Sequence, residues 1–425
     1  MDSLAVDAAT NPDAITFTDA ETHRCPFDAY DRLRAEAPVY LDPGTGHYVL
    51  TRYADVRSAV VNFRKLSSAV GLVGIRDSDA AGDVEAMYAR DGWPQRQQFQ
   101  SMDPPEHKEK RSRVDRAFAR WNVARIEPLI DALADEIIDG FVDEPEVEFV
   151  NRFAATLTIA VISQQLGVIR GDQSLAEYTA DIQKWSDLAI EVIDPLLTPA
   201  RHIEITRELI RMQHFYFANI ARVQADPDET LLSQFIQTVQ IDGEPDIPEI
   251  LELMKMVLVT GNETTRFAMA SGMRLLIDHP EVAERLAADP DAVPAFVEEA
   301  LRIRSPVQTL FRRATEDMVL HGVPIPKGAR IEVRFGAANR DPAAFECPAD
   351  IRLDRPNGNA HLAFGIGIHS CIGMQLARAE LVIGFQVLLR RLKNFRAARG
   401  EASYAHNPGY LSHGFTRLWL AFDRR

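Results

Sequence analysis

The chain has 425 residues, of which 46% are hydrophobic and 26% are charged. This composition is typical of a folded globular protein and excludes a disordered or fibrous chain, and the length allows several domains or one large core around a cofactor. The net charge of −15 repels a polyanion, so nucleic acid is not an expected partner. No run of about 18 apolar residues and no export signal occurs, so we expect a cytoplasmic protein without a membrane anchor.

Cysteine is rare in this sequence. Cys25, Cys347 and Cys371 form an odd and widely spaced set, which argues against a disulfide framework and fits a reducing compartment. One of these thiols can still have a chemical role.

Apolar residues recur at three- and four-residue spacing along much of the chain, which predicts a mainly helical protein. The predicted helices are 126–142, 153–166, 203–223, 250–277 and 375–392. Short β-rich stretches predict small peripheral sheets, and they lie at 39–52, 318–320, 331–335 and 415–422. Because no repeat or low-complexity linker interrupts the pattern, we predict a single domain over 1–425.

Two segments lack sustained periodicity. Segment 339–359 is rich in turn residues and predicts an irregular coil packed on the helices. Segment 70–102 mixes glycines with Trp93 and Phe99, which predicts a long loop with short helical pieces. Loops of this length are usually functional or disordered, and the aromatic residues favour a binding lid.

A glycine-rich segment surrounds Cys371. Gly365 and Gly367 permit a tight bend, and Gly373 lets the helix backbone approach a flat, bulky group. Cys371 lies just before a predicted helix, where backbone N–H groups and the helix dipole stabilise a thiolate. Considered alone, a cysteine in an apolar segment is more often a small buried hydrophobe than a ligand.

The order of the residues decides between these interpretations. The segment reads Phe364-Gly-Ile-Gly-Ile-His-Ser-Cys371-Ile-Gly-Met-Gln-Leu-Ala-Arg378, and it matches every fixed position of the Phe-Gly-x-Gly-x-His-x-Cys-x-Gly-x-x-Leu-Ala-Arg signature. The chain therefore resembles the cytochrome P450 family, soluble bacterial type, over about 17–422. The resemblance implies a mainly α fold with small peripheral β-sheets. It also implies haem b (iron protoporphyrin IX) with Cys371 as the thiolate ligand of the metal.

A second motif is the pair Glu299 and Arg302, three residues apart on one helix face. Such pairs are common on solvated helix faces, where each contributes only about 0.2 to 0.5 kcal/mol. The resemblance implies instead a buried triad that Arg355 completes. A buried charged triad that loses a member is costly, so each member should be needed for folding.

The haem propionates require cations or hydrogen-bond donors. His107 and Arg111 lie four apart on a basic helix at 107–120, and the resemblance adds Arg312 and His369 to the cofactor-binding set. Arginine suits carboxylates because its guanidinium is a planar fork. Any one of these residues, considered alone, is more often an ordinary surface residue, but their joint placement argues against that interpretation.

A polar break interrupts the predicted helix at 250–277, and burying polar groups costs free energy unless something uses them. Glu263 and Thr264 resemble the family's acid and alcohol pair, which delivers protons during oxygen activation. A threonine inside a helix can instead bond the carbonyl four residues back and bend the helix; we expect that alternative for Thr265 rather than for Thr264. Thr260 departs from the family, since many relatives have Ala or Gly there.

The resemblance implies a monooxygenase that inserts one oxygen atom from dioxygen into a C–H bond of a hydrophobic small molecule. Terpenoids, steroids and aromatics are candidate substrates. By their positions relative to the family's pattern, four residues are predicted to form an apolar wall of the substrate pocket: Leu258, Val307, Leu310 and Phe415. Apolar residues are also what any protein core would show.

No stretch matches a dinucleotide-binding fingerprint. The resemblance therefore implies electrons from a ferredoxin or flavodoxin with its own reductase. The predicted dock is the basic helix, through Lys108, Lys110, Arg113 and Arg116. A solvated helix face is the alternative interpretation of these charges.

Three other functions need consideration. A peroxide-dependent haem-thiolate enzyme would share Cys371 but would not need Glu263, Thr264 or the basic dock. A non-catalytic haem-binding sensor would bind haem without substrate-coupled use of reductant. A cysteine hydrolase built on Cys371 and His369 fails on geometry, because the two residues are neighbours in one turn and no separate orienting group is evident.

Overall fold

The computed structural model describes residues 15–70, 80–119, 123–168, 174–192 and 197–425. It divides into two compact units. The sheet unit comprises Met1–Val70, Phe267–Met374 and Leu389–Arg425. The helical unit comprises Gly71–Arg266 and Gln375–Leu388. The assignment of one domain to the whole chain stays a prediction.

Helices dominate the described residues. In chain order they are α1 (Ala20–Arg24), α2 (Phe27–Glu36), α3 (Tyr53–Val61), α4 (Ala81–Asp91), α5 (Glu106–Ala119), α6 (Glu127–Asp139), α7 (Thr156–Leu166), α8 (Leu175–Glu191), α9 (Pro199–Ala225), α10 (Leu231–Thr238), α11 (Ile247–Asp278), α12 (Pro280–Ala288), α13 (Val293–Ile303), α14 (Phe335–Ala338) and α15 (Met374–Arg391). A π-helical segment, Val150–Ala155, leads directly into α7.

Strands are short and most lie in the sheet unit. They are β1 (Val39–Leu41), β2 (Tyr48–Leu50), β3 (Leu66–Ser67), β4 (Val147–Glu148), β5 (Gln240–Ile241), β6 (Glu244–Pro245), β7 (Thr309–Ala314), β8 (Met318–Leu320), β9 (Val323–Ile325), β10 (Arg330–Arg334), β11 (Leu392–Ala397), β12 (Tyr404–His406) and β13 (Phe415–Arg424).

The main sheet of the sheet unit has the strand order β1-β2-β10-β7-β3. Strand β10 runs parallel to β2, with Ile331 opposite Tyr48, and antiparallel to β7. Side chains alternate between the two faces of a strand, so Ile331 and Val333 enter one apolar layer with Val56 of α3 and Leu362. This layer fixes the strand that leads, through α14, into the coil that precedes Cys371.

In the helical unit, most residues of the π-helical segment and of α7 are buried. Local signals set the helix ends: Ser174 forms a capping box at the start of α8, and Thr198 caps α9 before Pro199. Gly167 ends α7 in the left-handed conformation at φ 74°. The result is a packed helical frame for the N-terminal part of α11.

The predicted fold class, mainly α with small peripheral sheets, is confirmed. Each of the five predicted helices and four β-rich segments is present, with shifted ends except at 318–320. The predicted coil 339–359 is irregular as far as 357, and a 3-10 turn follows at Gly358–Ala360. Segment 70–102 differs, because it contains the 11-residue helix α4 rather than only short helical pieces; residues 71–79 lie outside the described part. Among the described helices, none combines the length and the apolar character needed to span a membrane.

Candidate functional site

Cys371 is presented by a tight backbone turn in the sheet unit. Gly365 and Gly367 adopt φ values of 62° and 74°, which side chains with a Cβ rarely tolerate. The Cys371 N–H donates to the carbonyl oxygen of Phe364 at 2.9 Å, which closes the turn three residues before α15 begins at Met374. The thiol is exposed. None of the three cysteines forms a disulfide, as predicted.

Two predicted cofactor-binding residues accompany this turn in the sheet unit. His369 ends the 3-10 turn Gly367–His369 and is partly buried. Arg312 lies on β7, is 5% exposed, and donates from Nη1 to the carbonyl oxygen of Phe311 at 2.7 Å. The sheet therefore holds a buried cation, and the turn holds an imidazole two residues before the thiol.

The predicted triad of Glu299, Arg302 and Arg355 is assembled and buried. Arg302 donates from Nε to Oε1 and from Nη2 to Oε2 of Glu299, at 2.7 and 2.9 Å, and the Arg355 Nε lies 2.9 Å from the same Oε1. The backbone N–H of Arg352 adds a fourth donor at 2.9 Å. Burial alone would raise the pKa of Glu299, but these donors outweigh it and hold the pKa below its usual value. The carboxylate is therefore charged and fully satisfied.

The centre of α11 carries an exposed polar stripe between buried apolar residues. Thr260 is exposed while Val257 to Val259 before it are buried. The Thr260 Oγ1 donates to the carbonyl oxygen of Met256 at 2.7 Å, and the Thr264 Oγ1 donates to that of Thr260 at 2.8 Å. The expectation that this back-bonding would apply to Thr265 rather than Thr264 is therefore wrong. Each hydroxyl oxygen keeps lone pairs that can accept a further hydrogen bond.

Glu263 is the buried acid beside this stripe. It is 3% exposed, and among the described residues no hydrogen-bond partner reaches its Oε2. Burial raises the pKa of Glu263 to about 8, against the opposing effect of Arg266 and with a smaller contribution from Asp187. At neutral pH this carboxyl group therefore holds a proton.

The basic helix is α5, as predicted, in the helical unit. His107 is buried and packs edge-to-face against Phe99, and burial followed by the nearby Arg111 lowers the pKa of His107. Arg111 bonds Asp115 at 2.9 Å and lies over the Phe99 ring. Both residues thus sit on one face of α5 with well-defined side-chain positions.

The predicted dock on α5 is only partly available. The Lys110 Nζ is bound inside the helical unit, 2.8 Å from Glu249 and 2.7 Å from the carbonyl oxygen of Gln97. Arg113 is paired with Glu109 at 2.6 Å. Lys108 and Arg116 are exposed. Arg120, which the sequence placed at the end of this helix, lies outside the described residues.

The four predicted wall residues have unequal exposure. Leu258 of the helical unit and Phe415 of the sheet unit are almost fully buried. Leu310 of β7 is 42% exposed, and Val307 is partly buried beside an isolated β-bridge to Ser412. Of the set, Leu310 is the side chain with most apolar surface open to a ligand.

The sequence analysis missed a group of polar contacts on the buried side of α11. Arg266 is 1% exposed, and its Nη2 lies 2.7 Å from the Asp187 Oδ1 on α8. Asn262 accepts from Thr158 at 2.9 Å and donates to Ser186 at 3.2 Å. The spacing of Glu263 and Arg266 repeats Glu-x-x-Arg and could have been noticed, whereas nothing in the sequence marks Asp187.

Comparison with known proteins agrees with this geometry. A family model described as Cytochrome P450 matches residues 50–401. The chain is 32% identical to a steroid C26-monooxygenase of Mycolicibacterium smegmatis, over 87% of this chain and 86% of the relative. It is 29% identical to the putative cytochrome P450 123 of Mycobacterium tuberculosis, over 96% of both.

A solved cytochrome P450 from Chondromyces apiculatus superposes with a TM-score of 0.81 at 28% identity, covering 97% of this chain and 99% of that one. Family match, curated relatives and fold therefore agree over nearly the whole length. The chain belongs to the cytochrome P450 family and is a haem b monooxygenase, an oxidoreductase that receives its electrons from a separate redox partner.

Proposed function

We propose that this enzyme hydroxylates a hydrophobic, steroid-like molecule, that Cys371 holds the haem iron, and that Glu263 and Thr264 supply protons. The observation that carries the proposal is the exposed Cys371 thiol on a two-glycine turn directly before α15. Backbone N–H groups at the start of a helix stabilise a thiolate at such a position.

The residues of the chain fit haem. A Cβ at Gly373 would meet no heavy atom within 4 Å, and one at Gly261 would meet only the Ile162 side chain, at 3.6 Å. Both places leave room for a flat group beside the backbone. Haem b, when bound, supplies the iron that activates dioxygen for insertion into a C–H bond.

The propionates of the cofactor would be held by the donors predicted from the sequence: His107, Arg111, Arg312 and His369. Arg312 and His107 are buried, and Arg111 has only 15% of its side chain exposed. A buried cation needs a counter-charge and a buried donor needs an acceptor, because water does not reach either group. The propionate carboxylates would supply both.

Glu263 and Thr264 would act as a proton donor and a positioning hydroxyl. Glu263 holds a proton at neutral pH, and Thr264 has its own hydrogen committed to the Thr260 carbonyl. Its oxygen is therefore oriented as an acceptor for a water molecule or a protonated carboxyl group. The two residues together can hold a proton and pass it to the oxygen side of the site.

Substitution of Thr264 tests this role. Thr264→Ala should keep consuming NADH but release hydrogen peroxide in place of product, because protons are no longer directed. Thr265→Ala, one position further on the same helix, is the matched control. Product yield per NADH that is unchanged in Thr264→Ala, or equally reduced in both variants, contradicts the role.

The proposed substrate class rests on two observations. Leu310 offers exposed apolar surface on β7, and the Mycolicibacterium relative is named for oxidation of a steroid at C26. A sterol with a full side chain, such as cholesterol, should therefore bind and shift the haem spin state. A terpene and an alkylbenzene in parallel titrations test the other two classes.

We propose a ferredoxin as electron donor in a cytoplasmic setting, docked through the exposed cations Lys108 and Arg116 of α5. An acidic ferredoxin is attracted by exposed cations, and salt screens this attraction. Arg116→Glu should slow reduction of the haem more at low than at high ionic strength. Equal reduction rates for this variant and the wild type at low salt contradict the placement.

The first experiment is the absorption spectrum of the dithionite-reduced, carbon monoxide-treated enzyme. The wild type should show the red-shifted Soret band that gives the family its name, and Cys371→His should keep haem but lose that band. If haem-loaded wild-type protein lacks the band, the thiolate assignment fails. If Cys371→His retains it, another residue binds the iron.

A further inference from the structure

Three ionisable side chains form a short series from the buried side of α11 to the surface. Glu263 is 3% exposed, Arg266 follows three residues later on the same helix, and Asp187 of α8 is paired with Arg266. The Asp187 side chain is 49% exposed. The series therefore has a buried acid at one end and a solvent-accessible acid at the other.

Geometry assigns Arg266 to Asp187. Its Nη2 lies 2.7 Å from the Asp187 Oδ1, whereas the Glu263 Oε2 has no hydrogen-bond partner in the described part of the chain. A guanidinium three residues away on the same helix face is within reach of Glu263 by rotation of its side chain. Of the Glu263 and Asp187 carboxylates, Asp187 is therefore the one that Arg266 bonds.

The electrostatic effects on Glu263 have opposite signs. Burial raises its pKa to about 8, Arg266 acts to lower it, and Asp187 acts to raise it. Thr158 of α7 and Ser186 of α8, which bond the neighbouring Asn262, are neutral. The charge balance at Glu263 therefore depends on whether Asp187 neutralises Arg266.

We propose that Asp187 is a positioning residue for catalysis: by holding Arg266 in an ion pair, it keeps Glu263 in the protonated form from which a proton can be delivered. When Asp187 is lost, its negative charge no longer offsets the positive charge of Arg266, so Arg266 stabilises the Glu263 carboxylate more strongly and the acid holds its proton less firmly. This inference rests on the proposed role of Glu263 as proton donor, but the state of Glu263 can be measured without reference to that role.

The direct test is infrared spectroscopy of the haem-loaded enzyme during a pH titration. The carbonyl stretch of a protonated carboxyl group is assigned to Glu263 by its disappearance in Glu263→Gln and its displacement in Glu263→Asp. In the wild type this band should be lost with a midpoint near the pKa of about 8. Absence of such a band at pH 6 contradicts the proposal at once.

Two substitutions should move the midpoint in opposite directions. Asp187→Asn removes the negative charge and should lower the midpoint, while Arg266→Gln should raise it by a larger amount, up to about one pH unit. Each unit is a tenfold change in the ratio of protonated to ionised Glu263. Asp187→Glu should restore the wild-type midpoint, and Asp181→Asn, six residues earlier on α8, is the matched control. Shifts in the same direction, or no shift, overturn the proposal.

A second measurement separates this inference from the proposed function. With cholesterol as the probe, product formed per NADH should follow the infrared midpoint, so that Asp187→Asn becomes uncoupled at a lower pH than the wild type. If the midpoints move as predicted but coupling does not follow, Asp187 controls Glu263 and the proton-donor role of Glu263 fails. If the midpoints stay fixed, the control by Asp187 fails regardless of coupling.

Discussion

Two buried helices carry the same Glu-x-x-Arg spacing and use it in opposite ways. On α13, Glu299 and Arg302 form a two-contact ion pair, and the pKa of Glu299 lies below its usual value. On α11, Glu263 and Arg266 have the same separation, yet the pKa of Glu263 is raised to about 8. The spacing alone allows an ion pair but does not ensure that one forms. The other groups around each arginine determine which partner it binds.

The difference arises from what else surrounds each pair. Arg302 is also held by the carbonyl oxygens of Asn339, Pro348 and Asp350 at 2.7 to 3.1 Å, so the coil fixes its guanidinium against Glu299. Arg266 instead has an acidic partner on α8. A carboxylate whose two oxygens both accept hydrogen bonds is suited to holding a fold together. A buried, protonated carboxyl group is suited to proton transfer.

The largest effect is expected from breaking the ion pair between Glu299 and Arg302. Glu299→Gln leaves Arg302 and Arg355 buried without their counter-charge, and loss of one partner of a buried ion pair costs about 3 to 5 kcal/mol. Little haem-loaded protein should be recovered. Glu263→Gln, an identical change at a carboxyl group that is already neutral, should load haem normally. Comparison of haem content per protein in the two variants checks the prediction, and normal loading of Glu299→Gln would refute it.

The pH dependence of stability should also have opposite signs at the two sites. Because folding raises the pKa of Glu263, its contribution to the stability of the folded state is fully present below the unfolded pKa of 4.5. That contribution is lost as the pH rises through about 8. Glu263→Gln removes that loss, so its free energy of unfolding relative to the wild type should increase between pH 5 and 8, by at most about 1.4 kcal/mol per pH unit.

For Glu299 the pKa is lowered, so its stabilisation is present above 4.5 and is lost as the pH falls. The deficit of Glu299→Gln relative to the wild type should therefore shrink in acid. Denaturant unfolding of both variants and the wild type at pH 4, 5, 6 and 8 measures these trends. A deficit of Glu299→Gln that grows towards low pH, or an advantage of Glu263→Gln that falls towards pH 8, would contradict the assignments.

Sequence patterns predicted the parts of the site that depend on local order. The turn at Cys371 follows from two glycines at fixed positions, and α11 was recognised from its apolar period with the polar break inside it. The partners of buried charges could not be predicted in the same way. Asp187 acts on Glu263 from another helix, and Lys110 is bound to Glu249 far along the chain. Such contacts depend on packing between helices, which a local spacing does not specify.

Exchanging each arginine for lysine keeps the charge but removes the planar fork, and the smallest effect of all is expected from this exchange at Arg266. Arg302 makes five bonds, to Glu299 and three carbonyl oxygens. Lysine has three donors, so at least two buried acceptors lose a partner at about 1 kcal/mol or more each. Arg302→Lys should therefore lower the free energy of unfolding by about 2 to 4 kcal/mol.

Arg266→Lys should cost less than about 1 kcal/mol, because its partner Asp187 is half exposed and water can complete that carboxylate. Denaturant unfolding at pH 7 compares the two exchanges. The Glu263 infrared midpoint should also stay close to the wild-type value in Arg266→Lys, in contrast to Arg266→Gln, because the positive charge is retained. A loss in Arg266→Lys as large as that in Arg302→Lys would mean that both arginines serve chiefly to hold the fold, and the distinction between the two Glu-x-x-Arg pairs would disappear.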